Sequence, residues 1–361
     1  MKKSALTEND GIASPEIVSV VSVAKIRQLR KNILDANELI NGILNRNITA
    51  LSRAITLIES TNNNHFSVAH DIVDACLPHA NKSIRIGITG VPGVGKSTFI
   101  EVFGKYLTNI GKRVAVLAVD PSSNISNGSI LGDKTRMEEL VKDNNAFVRP
   151  SASGGTLGGV ARKTRETITL CEASGFDIIL IETVGVGQSE TAVHSMVDFF
   201  LLLNLAGAGD GLQGIKRGIM EMADLVIVNK ADGDNVTKAR LASTEIGRAL
   251  HFFAMKKSGW LPKVTTCSAV ENIGIANVWS IITEYIDLTK ANDYFEHHRA
   301  EQNQFWMLET INESLKNHFY NNQEFSNMLK EKEIDVKNGL LSPFLAAKLL
   351  TDAYFTKKTN I

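Results

Sequence analysis

One eight-residue stretch constrains this 361-residue chain more than any other: Gly90-Val91-Pro92-Gly93-Val94-Gly95-Lys96-Ser97. It has the pattern G-x-x-x-x-G-K-[ST], in which glycines let backbone N–H groups surround phosphate oxygens. Alternating isoleucines before it predict a buried strand, and residues 98–107 after it have helical spacing. This strand–loop–helix order predicts a phosphate-binding loop in which Lys96 reaches the β- and γ-phosphates and the Ser97 hydroxyl binds Mg²⁺.

Composition and charge argue against several other classes of protein. Lys plus Arg and Asp plus Glu both number 39, so nothing in the charge indicates an electrostatic nucleic-acid binder. The cysteines at 76, 171 and 267 have no metal-binding spacing and suit a reducing compartment. The longest apolar run, near residues 199–203, is too short to span a bilayer, and no signal-peptide core follows the first ten residues. We therefore expect a cytoplasmic protein that binds neither nucleic acid nor membrane.

Apolar runs that end in an acidic residue predict parallel strands covered on both faces, and therefore an α/β fold. One run covers residues 113–119 and ends in Asp120, and another covers residues 178–181 and ends in Glu182. Open α/β sheets bind ligands at the carboxyl ends of their strands. An acid at a strand end near a phosphate loop is typical of the group that orients Mg²⁺ or its waters, which is the role predicted for Glu182. Gly185 would then place a backbone N–H against the γ-phosphate.

A second nucleotide motif follows a later strand. The predicted strand at residues 224–228 leads directly into Asn229-Lys230-Ala231-Asp232, the N-K-x-D pattern. The Asp232 carboxylate can accept hydrogen bonds from both the ring N–H and the exocyclic amine of guanine, a donor pair that adenine lacks. A further predicted strand, at residues 263–269, ends in Ser268-Ala269, which is typical of a second loop that contacts guanine.

Helical spacing marks both ends of the chain. We predict a helical N-terminal extension over residues 1–80, a nucleotide-binding domain over residues 81–285 and a C-terminal helical arm over residues 286–361. One face of the arm carries apolar residues at spacings of three and four: Phe305, Leu308, Ile311, Leu315 and Phe319. The pattern leaves open whether this face packs within the monomer or on a partner subunit.

The motifs together resemble the MeaB/ArgK family of P-loop GTPases, relatives of the methylmalonic aciduria type A protein. The resemblance extends from about residue 35 to about residue 320. Its matching stretches are residues 51–60, 90–98, 119–123, 128–137, 182–190, 207–210 and 229–232. The chain departs from the usual family pattern at Gly211 and at residues 124–128, both in expected switch loops.

The resemblance implies a fold, an activity and partners. The fold is a P-loop NTPase with a SIMIBI-type G domain, a mostly parallel central sheet, a helical N-terminal extension and a C-terminal helical dimerisation arm. The activity is Mg²⁺-dependent hydrolysis of GTP to GDP and phosphate. The implied role is that of a chaperone which gates cofactor loading and protects an adenosylcobalamin-dependent acyl-CoA mutase, usually methylmalonyl-CoA mutase. A homodimer is also implied.

The resemblance further assigns roles to single residues. Lys96, Asp120, Asp133 and Glu182 form the catalytic group, and Ser97, Asp120 and Glu182 surround the metal. Gly185 and Lys216 occupy switch positions linked to the partner. The residues expected to contact GTP are Gly90, Val91, Pro92, Gly93, Val94, Gly95, Lys96, Ser97, Thr98, Asn229, Lys230, Asp232, Ser268, Ala269 and Val270.

Three other functions share parts of this pattern. A nucleotide-dependent kinase or ATPase of basic amino-acid transport is an older label of the family, and Asp232 argues against it because N-K-x-D selects guanine. A metal-insertion GTPase would carry His- or Cys-rich tracts, whereas the pair His297-His298 stands alone and is expected to face solvent. A structural dimer with an inactive nucleotide site is disfavoured by the intact Lys96 and Ser97.

Overall fold

The structure of the chain is a computed structural model that describes residues 35–60, 62–119, 137–150, 157–183, 189–206 and 217–358. Several features predicted from the sequence lie outside these ranges: Asp120, Asp133, Gly185, Lys216, Gly211 and residues 124–128. The described part of the predicted site comprises the phosphate loop, Glu182 and two segments that are predicted to contact guanine, residues 229–232 and residues 268–270. These are called the guanine-loop segments, and the first of them, after β6, the guanine loop.

Helices and strands alternate along most of the described chain. The helices are α1 (Ala36–Leu44), α2 (Ile48–Glu59), α3 (Asn63–Cys76), α4 (Lys96–Asn109), α5 (Glu138–Val141), α6 (Leu157–Ala173), α7 (Ser189–His194), α8 (Arg217–Met222), α9 (Val236–Leu250), α10 (Ile275–Ala291), α11 (Tyr294–Tyr320), α12 (Gln323–Lys337) and α13 (Pro343–Lys358). The strands are β1 (Ile84–Gly90), β2 (Val114–Val119), β3 (Ala146–Arg149), β4 (Ile178–Thr183), β5 (Phe199–Leu205), β6 (Leu225–Asn229) and β7 (Lys263–Thr266). Short 3-10 turns cover Leu77–His79 and Gly233–Asn235.

These seven strands form one parallel sheet in the order β3-β2-β4-β1-β5-β6-β7. The phosphate-loop strand β1 lies between β4 and β5, and Ile88 of β1 is in register with Glu182 of β4. Because parallel strands end at the same edge, the phosphate loop, Glu182 and the loop after β6 all lie at the carboxyl edge of the sheet. The predicted α/β fold with a parallel sheet is confirmed.

The central strands are buried on both faces, as their apolar runs predict. On one face, α4 and α10 cover the sheet, with Phe103 and Ile282 packed in the same core as Leu180. On the other face, α1, α2, α3 and α6 bury residues such as Ile55 in the same core as Ile179. The described part of the predicted N-terminal extension therefore shares its hydrophobic core with the sheet.

The beginning of the C-terminal arm is also built into this core. The boundary expected after residue 285 falls inside α10, and both Tyr285 and Ile286 are buried. Arg299 of α11 is buried, pairs with Asp198 at 2.7 Å and donates to the carbonyl oxygen of Ser83 at 2.6 Å. These contacts join the first turns of α11 to the amino ends of β1 and β5.

The remainder of α11 carries the predicted apolar face. Four of its residues are about half exposed: Phe305 (45%), Leu308 (50%), Ile311 (48%) and Leu315 (53%). The fifth, Phe319, is half-buried and packs against Phe325 of α12 and Tyr354 of α13. The end of α11 is thus covered by the last two helices, whereas its middle presents an apolar stripe to solvent.

The expectation that His297 and His298 both face solvent is wrong for His298. His297 is exposed, but His298 is half-buried and its ring stacks on Tyr294. Burial lowers the pKa of His298, partly offset by Asp198 and other acids nearby. The two residues differ because successive side chains on a helix point about 100° apart, so only one of them can face the core.

Candidate nucleotide-binding site

The phosphate loop begins where β1 ends, at a backbone position that only glycine can occupy. Gly90 has φ of 155°, and a Cβ at this residue would lie 2.5 Å from the carbonyl oxygen of Leu203 on the neighbouring strand. At the other end of the loop, Gly95 has φ of 92° and directly precedes α4. A Cβ there would lie 3.1 Å from the side-chain nitrogen of Asn229. The two glycines thus allow the loop to pass closely between β5 and the guanine loop.

The first two residues of α4 carry the predicted phosphate and metal groups. Lys96 bends back over the loop, and its Nζ donates to the carbonyl oxygen of Gly90 at 2.9 Å. Burial lowers the pKa of Lys96, while the nearby carboxylates of Glu182 and Glu190 oppose this shift. Burial therefore dominates, and the two carboxylates limit how far the pKa of the Lys96 ammonium is lowered.

Glu182 lies at the end of β4, where the sequence predicts the metal-orienting acid. It is buried, and its Oε1 lies 3.5 Å from the Ser97 hydroxyl. Mg²⁺ takes oxygen ligands and is usually held by one or two protein groups together with phosphates and waters. Ser97 and Glu182 fit this donor set. In the ranges that the structure describes, no group of three His, Cys, Asp or Glu side chains could hold a metal unaided.

The guanine loop is attached to the phosphate loop through Asn229, at the end of β6. Its Nδ2 donates to the carbonyl oxygen of Val94 at 2.9 Å. Its Oδ1 accepts from the backbone N–H of Ala269 at 3.4 Å and from the Cys267 thiol at 3.3 Å. The buried side chain of Asn229 therefore links the end of β6 to the phosphate loop and to the segment of residues 267–269.

The next residues of this loop hold the predicted base-reading groups. Lys230 has a left-handed backbone, with φ of 58°, and its Nζ donates to the carbonyl oxygen of Gly93 at 2.9 Å. The Ser268 hydroxyl donates to Oδ2 of Asp232 at 2.5 Å. Ser268 therefore orients the carboxylate that is expected to read guanine. Val270, which was also predicted to contact GTP, is largely exposed.

The other predicted contact residues lie on the same edge. Val91 and Gly95 are half-buried, Pro92, Gly93 and Thr98 are exposed, and Val94 is buried. The described candidates are thus brought together: the phosphate loop lies between Glu182 on one side and the two guanine-loop segments on the other.

Sequence reasoning missed three contributions to this site. Glu190, in the first turn of α7, is buried and acts on the pKa of Lys96.

The hydroxyl of Thr183 donates to that of Thr89 at 2.8 Å, which ties β4 to β1 directly below the phosphate loop. The Cys267 thiol bonds to Asn229, and burial raises its pKa to about 12. The sequence could have indicated Glu190, because it is an acid at the start of the helix that follows Glu182. The Thr89–Thr183 and Cys267–Asn229 contacts could not be predicted, because they depend on strand register.

All three cysteines are free and buried, as expected for a chain without a disulfide framework. Burial raises the pKa of the Cys76 thiol to about 11 and also raises that of Cys171. These thiols are protonated and inert at neutral pH. Nowhere in the described ranges is there a helix long and apolar enough to cross a membrane.

A phosphate loop and a guanine loop at one edge of a parallel sheet define a P-loop GTPase. Comparison with known proteins gives the family: the chain belongs to the MeaB family, because residues 51–324 match the family described as "Methylmalonyl Co-A mutase-associated GTPase MeaB". The GTPase ArgK of Escherichia coli (strain K12) is 44% identical over 302 residues, which are 84% of this chain and 91% of that protein.

Two further similarities support this membership. The mitochondrial "Methylmalonic aciduria type A homolog" of Mus musculus is 45% identical over 328 residues, covering 88% of this chain and 79% of that protein. The crystal structure of a protein named "LAO/AO transport system kinase" has a TM-score of 0.71 and 37% sequence identity, with 90% of this chain and 98% of that one covered. The names of these similar proteins thus refer to different biological roles.

Proposed function

We propose that this GTPase acts as a chaperone of an adenosylcobalamin-dependent acyl-CoA mutase, either methylmalonyl-CoA mutase or a relative. In this role the nucleotide state gates cofactor loading and protects the mutase from inactivation. The observation that carries the proposal is the match over residues 51–324 to a family described by its association with methylmalonyl-CoA mutase. The similarity to the methylmalonic aciduria type A homolog of Mus musculus supports it.

The reaction is hydrolysis of GTP to GDP and phosphate. Lys96 binds the β- and γ-phosphates together with backbone N–H groups of residues 90–98. Ser97 and Glu182 would hold Mg²⁺, with Asp120 and Asp133 as further acids, and a bound Mg²⁺ would supply positive charge at the phosphates. Catalysis comes from positioning and charge stabilisation. The sequence motifs assign no arginine to the γ-phosphate, so slow turnover that a partner accelerates is expected.

The base-binding part of the site selects guanine. One oxygen of Asp232 is fixed by the Ser268 hydroxyl, and the carboxylate retains acceptor capacity for the two N–H groups on one edge of guanine. The backbone N–H of Ala269 is held near Asn229, in the loop that faces the base. Adenine would leave the Asp232 carboxylate without its donors, which is costly for a half-buried charge.

The chain acts as a homodimer in the cytoplasm, with the C-terminal arm as the contact. The half-exposed stripe of Phe305, Leu308, Ile311 and Leu315 supports this assembly, because large contiguous apolar surfaces mark interaction sites. The switch positions Gly185 and Lys216 pass the nucleotide state to the mutase.

The alternative function is that of a nucleotide-dependent kinase or ATPase associated with basic amino-acid transport. The observation in its favour is the similarity to a crystal structure whose protein is named a transport system kinase. The paired Asp232 and Ser268 favour guanine and therefore the first proposal. The two functions also differ in their partner, which makes them separable by experiment.

The test is affinity capture from the native lysate with the full-length protein loaded with GDP or with a non-hydrolysable GTP analogue. The matched control is the Lys96→Ala variant, in which the proposed contact with the β- and γ-phosphates is removed. Recovery of a cobalamin-dependent mutase in a nucleotide-dependent amount, lost in the control, supports the proposal. Recovery of a transporter component without a mutase would overturn the chaperone role and leave the GTPase activity intact.

A further inference from the structure

One polar residue next to the guanine loop lies outside every sequence motif. The side-chain Nδ2 of Asn235 donates to the carbonyl oxygen of Lys230 at 2.7 Å. The backbone N–H of Asn235 also donates to the carbonyl oxygen of Asp232 at 3.0 Å. A single residue thus makes two hydrogen bonds to the loop that carries the predicted base-reading groups, although it is not part of N-K-x-D.

The ordinary role of an asparagine at this position would be to cap a helix. Asn235 is the residue directly before α9, but its side chain makes no capping hydrogen bond and its backbone is helical, with φ of −90° and ψ of −10°. Capping residues have an extended backbone and accept hydrogen bonds through the side-chain oxygen. A backbone carbonyl can only accept, so the amide nitrogen of Asn235 must face Lys230.

The same chain shows what a capping asparagine looks like. Asn47, before α2, has φ of −78° and ψ of 110°, and its Oδ1 accepts from the N–H groups of Thr49 at 2.9 Å and Ala50 at 3.1 Å. Asn47 is an acceptor towards its helix, whereas Asn235 is a donor away from its helix. Replacement of Asn by Asp removes the side-chain N–H donor and keeps an oxygen acceptor. It is therefore expected to disturb the contact at residue 235 and to leave the helix cap at residue 47 intact.

The hydrogen bond from Asn235 supports an unfavourable backbone conformation at Lys230. A left-handed backbone, here with φ of 58°, is unfavourable for a residue with a side chain, because its Cβ comes too close to the following carbonyl oxygen. This conformation is held from two sides: the Lys230 Nζ donates to Gly93, and its carbonyl accepts from Asn235. Asp232 follows two residues later, so its direction depends on this turn.

We propose that Asn235 is a positioning residue for guanine recognition, which holds the left-handed turn at Lys230 and thereby aims Asp232 at the base. This inference rests on the proposed use of Asp232 to read guanine. It adds a specificity-determining residue that contacts neither the base nor the phosphates.

The decisive comparison is between Asn235→Asp and Asn235→Ala in the full-length protein. Asn235→Asp replaces the donor by a carboxylate oxygen that repels the Lys230 carbonyl, so GDP affinity falls about tenfold. Asn235→Ala removes the donor without repulsion, and the expected loss is about threefold. Displacement of a fluorescent GDP analogue by GDP, inosine diphosphate and ADP gives all the affinities.

Inosine diphosphate lacks the exocyclic amine of guanine. The ratio of its dissociation constant to that of GDP therefore reports whether the Asp232 carboxylate is oriented to accept a hydrogen bond from this amine. This ratio falls in Asn235→Asp, because GDP loses two contacts with Asp232 and inosine diphosphate only one. The melting temperature of the variant is unchanged or higher, since a carboxylate before α9 suits the helix dipole. A residue with a purely structural role would instead move affinity and melting temperature together.

A capping role predicts the opposite order. Asp caps helices as well as Asn does, so Asn235→Asp would then have the GDP affinity and melting temperature of the unchanged protein. Asn235→Ala would be the variant with the lower values of both. That order would overturn the inference. The control is Asn47→Asp, which keeps its acceptor and is expected to leave both melting temperature and affinity unchanged.

Failure of the proposed guanine site would look different. The unchanged protein would then bind GDP, inosine diphosphate and ADP equally, whatever the variants do. If instead the unchanged protein prefers GDP and Asn235→Asp keeps both affinity and preference, the guanine site stands and the positioning role of Asn235 is rejected.

Discussion

The side-chain amide of Asn229 donates to the carbonyl oxygen of Val94 over 2.9 Å, so the loop proposed to hold the base is tied directly to the loop proposed to hold the phosphates. The other side of this amide accepts from Ala269, on the second guanine-loop segment. One buried residue thus sets the spacing between the two halves of the nucleotide site. Changes at Asn229 are therefore expected to affect the binding of base and phosphate together.

Replacement of Asn229 by Ala tests this link. The substitution leaves the Val94 carbonyl and the Ala269 N–H without their partner, at a cost of about 1–3 kcal/mol in the free energy of unfolding. GDP affinity is expected to fall at least tenfold, as measured by calorimetric titration. The control is Asn277→Ala, which removes an exposed amide that donates to Thr265. Unchanged GDP affinity in Asn229→Ala would contradict the assigned link.

Base preference is expected to depend on Asp232. Asp232→Asn turns one carboxylate acceptor into a donor, which suits the additional carbonyl of xanthine and not the exocyclic amine of guanine. Competition between GDP and xanthosine diphosphate should therefore shift towards xanthine by an order of magnitude or more. Ser268→Ala keeps the carboxylate and loses its orienting hydroxyl, so a smaller loss of GDP affinity without a change of preference is expected. A variant Asp232→Asn that still prefers GDP would refute the guanine assignment.

Hydrolysis is expected to require Lys96 and the Ser97–Glu182 pair. Lys96→Ala removes a cation at the phosphates and should lower the turnover of GTP by about 10²–10³. Ser97→Ala should weaken the dependence of GTP binding on Mg²⁺, and chelation of Mg²⁺ should abolish hydrolysis in the unchanged protein. Phosphate release is the measurement. The control is Lys82→Ala, which changes an exposed residue before the amino end of β1, away from the phosphate loop. Hydrolysis that persists after chelation would argue against a magnesium site.

Stability is expected to decrease with acid because of His194. Burial lowers the pKa of this imidazole from 6.5 to about 4, and its ring packs edge-to-face on Phe200. Between these pKa values the unfolded chain takes up a proton that the folded chain does not, so the free energy of unfolding falls as the pH drops from 6.5 towards 4. The decrease is expected to be about 3 kcal/mol, at 1.36 kcal/mol for each unit of the pKa difference, and the measurement is denaturant unfolding at several pH values.

The matched variants for this prediction are His194→Gln and His297→Gln. The first removes the titrating group, so its unfolding free energy should change less with pH across the window in which His194 titrates. The second alters an exposed histidine and should follow the unchanged protein. Identical pH dependence in all three proteins would show that His194 does not contribute.

Assembly is expected to depend on the apolar stripe of α11. Leu308→Glu and Leu315→Glu each place a charge where the proposed dimer buries an apolar side chain, so the protein should become monomeric at concentrations where the unchanged chain is a dimer. Light scattering coupled to gel filtration measures the mass. Since both leucines are about half exposed in the monomer, the melting temperature of each monomer should change little. An unchanged chain that is already monomeric would remove the dimer from the proposal.

Much of the site was predictable because its motifs are local. The pattern from Gly90 to Ser97 requires only short-range geometry, and an acid after a run of apolar residues indicates a strand end. The roles proposed for Lys96, Glu182 and Asp232 therefore came from the sequence, and they remain proposals after the structure has brought these residues to one edge. The burial of His298 was missed, because helical periodicity alone does not tell which face meets the core.

What the sequence determined by itself was the fold class, the family and the position of each nucleotide motif, since these depend on residue types at fixed short spacings. Only the tertiary structure decided which distant residues meet. Asn229 reaches Val94 across 135 positions of the chain, and Arg299 is held by Asp198 across 101. Asn235 serves the guanine loop instead of capping its own helix. Such contacts depend on strand order and helix packing, which long-range burial of apolar surface selects and no local pattern encodes.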